Sequence, residues 1–159
     1  MSSARCMARD LNNIWEVWHP YVISLGSAII LSRLPLDFAT KLEEKGFSVS
    51  NLFGALSGFN TFGAGVMITI FVFTMAPAAG FIGKLEKLSL YKKFRRYTIE
   101  AAVCGVISGL ISIPIYASSA QVLTEPPMRL LIIFASVFTI AFVFTAWRVL
   151  KIFYFWTSQ

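Results

Sequence analysis

The chain has 159 residues, 57% of them hydrophobic, with 14 basic and 8 acidic side chains and a net charge of +6. Charged residues make up 14%, against roughly 25% in a soluble domain, and none lies between Gly46 and Gly83, Ala101 and Thr124, or Leu130 and Trp147. Such a composition excludes an ordinary soluble domain, no direct nucleic-acid partner is expected, and eight acids with one histidine leave little from which to build an enzyme site.

Uncharged apolar runs of about 18 or more residues read as bilayer-spanning helices, because lipid offers backbone amides no partner outside the helix itself. The first helix is expected over about 14–34, opening on the aromatic belt Trp15, Trp18 and Tyr21. Arg33 ends it and Pro35 breaks it. Arg5 and Arg9 precede it as in a signal peptide, but the apolar stretch is too long and no A-x-A-like site follows, so it is expected to be retained. Glu16 and His19 lie three apart on one face near its start. They are a candidate protonation site, or a satisfied interfacial pair. His19 has no second histidine to share a haem with, and Cys6 and Cys104 have neither disulfide nor metal-ligand spacing, so no cofactor or metal is expected.

Residues 36–45 predict a short interfacial helix on the outer side, capped by Asp37, with Phe38 and Leu42 on one face and Gly46 as its stop. Residues 47–61 are uncharged yet rich in glycine, serine and asparagine. A re-entrant segment, an interfacial loop and the start of a long second helix all stay open. Asn51, Ser57, Asn60, Thr61 and Thr69 either line a water-filled path or belong to an outer loop. The second helix is expected over 62–81, with Pro77 loosening its end.

A basic connector follows, with Lys84, Lys87, Lys92, Lys93, Arg95 and Arg96 around Leu85, Leu88, Tyr91 and Phe94 at helical spacing. It reads as a surface-lying amphipathic helix that binds anionic headgroups or an acidic cytosolic protein, or simply as the anchor that sets topology. The third helix is expected over 99–116, with Glu100 near its start, favoured there by the helix dipole, and Pro114 near its end. Ala101, Gly105 and Gly109 form a small-residue ridge on it, and Gly54 and Gly58 repeat the spacing upstream. Such ridges let helix backbones approach closely, within one bundle or between copies. A four-helix bundle is thin, so a homo-oligomer is expected. Glu125-Pro126-Pro127 predicts a turn, and the fourth helix is expected over 128–149, closing on the aromatics Phe153 to Trp156.

With both termini cytoplasmic, the inside holds Arg5, Arg9, the six basic residues of the connector, Arg148 and Lys151, and the outside only Arg33, Lys41, Lys45 and Arg129. The positive-inside rule favours that orientation. The expectation is therefore one all-α membrane domain, 1–159, of four transmembrane helices in a bacterial inner membrane. No HExxH, glycine-rich phosphate loop or Ser/His/Asp arrangement is present, and a non-enzyme is expected.

Pro20-Tyr21-Val22-Ile23 opening the first helix, the Gly/Ser-containing outer segment and the basic connector resemble the small four-helix phage-exclusion membrane proteins of the RexB type. In outline they also resemble the KwaA component of the Kiwa defence system. The resemblance implies a pore-forming or membrane-sensing oligomer that works with a cytosolic partner in anti-phage defence. The other readings are an anchor or accessory subunit of a larger respiratory or transport complex, and a toxin-immunity protein.

Overall fold

A computed structural model of the chain describes residues 18–35, 37–75 and 89–157, and all regular structure among them is helical. The helices are α1 (18–32), α2 (Phe38–Glu44), α3 (Val49–Met75), α4 (Ser89–Tyr116), α5 (Ala120–Leu123) and α6 (Pro126–Thr157). Three of them carry apolar stretches of 25, 26 and 29 residues: Val49–Phe73, Tyr91–Tyr116 and Pro126–Tyr154. At about 1.5 Å rise per residue each exceeds the roughly 30 Å hydrocarbon core. These three helices fit a multi-pass integral membrane protein. The described part of α1 is shorter than the roughly 20 residues a span needs.

Each long helix extends past its expected limits. α3 starts at Val49, so residues 49–61 are neither re-entrant nor an interfacial loop but its first turns. Glycine costs a helix about 1 kcal/mol per residue, and close packing offsets that here, as the ridge below makes clear. α4 starts at Ser89, so residues 89–97 are not a separate surface-lying helix. Tyr91, Phe94 and Tyr97 recur at helical spacing and are buried, which ties this stretch into the bundle. Lys84, Lys87, Leu85, Leu88 and Pro77 lie outside the described residues. Glu100 consequently sits well inside α4, beyond reach of its N-terminal dipole. Pro126 and Pro127 open α6 instead of forming a separate turn, since the first turn of a helix needs no backbone N–H from its proline.

α2 forms as expected but is capped differently. Asp37 has helical-side backbone angles and makes no side-chain cap bond. Its carboxylate instead meets Lys41 Nζ at 2.6 Å, and that hydrogen bond holds its pKa below the usual value. Gly46 ends the helix at φ +82°, with its own N–H bonded to Glu43 O and that of Phe47 to Leu42 O, both at 2.9 Å. This is the Schellman arrangement, and it needs a residue tolerant of positive φ.

α4 lies between α3 and α6 and packs along both. Two apolar clusters fill the bundle. One, where α4 begins and α6 ends, includes Met67, Phe94, Tyr97, Phe142 and Val149. The other, at the opposite end, joins Val49, Phe53, Ile115 and Ala135 to Ala39 of α2 and Leu123 of α5.

Candidate functional site

Between the two clusters lies a polar layer. Asn60 of α3 is fully buried and donates from Nδ2 to Ser108 Oγ of α4 and Thr139 Oγ1 of α6, each at 2.9 Å. Ser108 and Thr139 are 2.6 Å apart, and Ser108 also donates to Ala135 O at 3.0 Å. Interhelical bonds of this kind contribute about 0.6 kcal/mol each in a bilayer. Asn60 Oδ1 has no hydrogen-bond partner. The other polar residues of α3 do not share a path with it: Ser57 donates to Gly109 O at 3.0 Å, Thr69 turns back to Gly65 O, and Asn51 is exposed near the start of the helix.

The small-residue ridge is consumed inside the chain. Ala101 is fully buried. A Cβ on Gly105 would stand 3.0 Å from Ala64 Cβ, Asn60 O and the Phe142 ring, and one on Gly109 would stand 2.6 Å from Thr61 Oγ1. Gly54 lies under the Tyr116 ring in the same way, and Gly63, which the spacing did not single out, lies under Phe142. A Cβ on Gly58 meets nothing within 4 Å.

α1 is held differently from the other long helices. None of its residues belongs to either apolar cluster, and only Pro20 and Ser24 are buried among its described side chains. A Cβ on Gly26, near its middle, meets nothing within 4 Å. Among its described residues, polar contacts hold it near both ends, and the His19 ring also packs edge-on against Phe144 of α6, with centroids 5.7 Å apart. At one end Arg129 of α6 donates from Nη2 to Ser32 O and Leu34 O, both 2.5 Å, placing a cation at the helix C-terminus. At the other, Tyr21 Oη donates to Glu100 Oε2 at 3.3 Å, and Arg96 Nε holds Oε1 of the same carboxylate at 2.7 Å.

Beside it, Arg148 Nη2 donates to His19 Nδ1 at 2.7 Å. Guanidinium groups have no acceptor and stay charged, so Nδ1 here is the acceptor of a neutral imidazole. Arg148 is 7% exposed, and its Cζ lies 5.0 Å from the centre of the Tyr97 ring. Its Nε and Nη1 are buried without a hydrogen-bond partner. The sequence marks Arg148 only as one inside charge among ten. The signal for its larger role is that an antiparallel α1 and α6 bring the start of one beside the end of the other.

The remaining sequence candidates divide. Glu16 lies outside the described residues. Arg96 is committed to Glu100, and Arg95 lies over the Phe71 ring at 5.8 Å. Lys92 is exposed and Lys93 half-buried. Comparison with family models, curated proteins and solved structures finds no match to this chain.

Proposed function

We propose that this chain is a non-enzymatic membrane-sensing component of the bacterial inner membrane, with four spans and both termini cytoplasmic, whose moving part is α1. The observation that carries the reading is the attachment of α1: polar clasps near both ends and, among the described residues, no membership of the apolar clusters of α3, α4 and α6. A helix held this way can leave without dismantling the core, as elements that move are drawn from the least stable parts of a fold. The same two clasps run α1 beside α6 from Arg129 to Arg148, which supports a fourth span, and the basic asymmetry supports the orientation.

Sensing is favoured over conduction because Ser57 and Asn60 of α3 are spent on bonds to α4 and α6 instead of on a lumen. A cytosolic partner would meet the basic start of α4 at Lys92 and Lys93. Self-association would run through α3 at Gly58 and Gly65, where added side chains meet open space. The setting in anti-phage defence extends the resemblance at Pro20 to Ile23.

The test is a spin label at Leu25, followed together with membrane potential in cells expressing the wild type or a Tyr21→Phe/His19→Leu variant. Sensing through α1 requires a more mobile label in the variant with the potential intact in both. Collapse of the potential in either means a pore and overturns the reading.

A further inference from the structure

We propose that Arg148 is a concealed site for the phosphate of an anionic phospholipid headgroup, opened when the start of α1 moves off. This rests on the reading of α1 as the moving part.

The first argument is chemical. A guanidinium presents five N–H donors in a planar fork that matches phosphate. In Arg148 only Nη2 has an acceptor, the neutral His19 ring, while Nε and Nη1 are buried and unpartnered. Burying a cation without a full set of partners is costly, and the Tyr97 face offsets only part of that. At this end of the bundle the described acid is Glu100, which Arg96 and Tyr21 already occupy. Among the described residues, the packed state therefore leaves Arg148 short of an anion.

The second argument is geometric. Both two-point grips on a guanidinium, Nε with Nη2 and Nη1 with Nη2, run through Nη2. Nη2 has two N–H groups, one serving each grip, so His19 blocks the grip whose hydrogen it accepts. With Nε and Nη1 buried, a phosphate that takes that grip must displace His19, and headgroup binding there competes with the clasp on α1. Arg148 stands six residues before Tyr154, where the apolar stretch of α6 ends, or about 9 Å along the axis. That depth is within an arginine side chain's reach of the headgroup layer. Lys151, exposed one turn further on, adds attraction for an anionic surface.

The experiment is native mass spectrometry of the detergent-solubilised protein titrated with phosphatidylglycerol, phosphatidylcholine or inorganic phosphate, with the spin label at Leu25 read in parallel. Wild type should retain phosphatidylglycerol over phosphatidylcholine. Retention should weaken about five- to tenfold in Arg148→Gln, partly recover in Arg148→Lys, and strengthen in His19→Leu, where the competitor is gone. Equal retention in wild type and Arg148→Gln overturns the site. Release of α1 by inorganic phosphate without lipid assigns the site to a soluble anion and overturns the lipid assignment. A label mobile in His19→Leu with unchanged lipid retention sinks the headgroup site alone, whereas a label immobile in every variant sinks the reading of α1 beneath it.

Discussion

Arg148 and His19 stand 129 positions apart in the chain, yet 2.7 Å separates Nη2 of one from Nδ1 of the other. The bond joins the end of α6 to the start of α1 and requires an acceptor at position 19. His19→Gln, whose amide oxygen can accept, should keep the clasp. His19→Leu should lose it and leave the arginine with one partner fewer, at a cost of about 1–3 kcal/mol. Unfolding in mixed micelles measures this, and equal stability of the two variants would mean that His19 acts only through packing.

The ridge on α4 makes a second prediction. Gly105→Leu and Gly109→Leu force side chains against the backbone and side chains of α3, and each should cost about 1–3 kcal/mol or more. Gly58→Leu has open space and should leave the monomer within about 0.5 kcal/mol of wild type, while lowering the oligomer fraction by native mass spectrometry. The opposite ranking would place the ridge at lipid.

Asn60→Leu removes both of its interhelical donations but leaves Ser108 and Thr139 bonded to each other. The expected loss is about 1 kcal/mol, read in the same unfolding assay. A more stable Leu variant would mean that the unpartnered Oδ1 outweighs the two bonds.

Lys41 depresses the Asp37 pKa. A carboxylate whose folded pKa lies below its unfolded value adds stability above the unfolded pKa and loses it as pH falls through the folded one. Lys41→Ala should therefore raise the Asp37 midpoint towards about 3.9, the ordinary value, in an NMR titration. No change would show that the pair does not form in solution. Lys41→Cys, in a background without other cysteines, should also be labelled from the periplasmic face.

Much of this architecture was legible in the sequence, because three uncharged runs announce three long helices and Gly46 announces the end of α2. Helix starts were not. Residues 49–61 look irregular because glycine and serine are poor helix formers, and only the contacts of Gly54 with Tyr116 and Ser57 with Gly109 explain why they stay helical. The partners of Asn60 depend on how three helices are rotated about their axes, which no local pattern records. Arg148 looked like a topology charge because its distinguishing features, burial and a short set of acceptors, arise only once α1, α4 and α6 surround it.

The most direct test of α1 as a detachable helix on a three-helix core is a pair of spin-label distances in lipid nanodiscs. One pair joins Leu25 of α1 to Leu150 of α6, and the other joins Phe62 of α3 to Leu110 of α4, all exposed positions. In an Arg129→Gln/Arg148→Gln variant, the first distance should lengthen and broaden while the second keeps its wild-type distribution. An unchanged first distance, or simultaneous broadening of both, would contradict a movable α1 on an independent core.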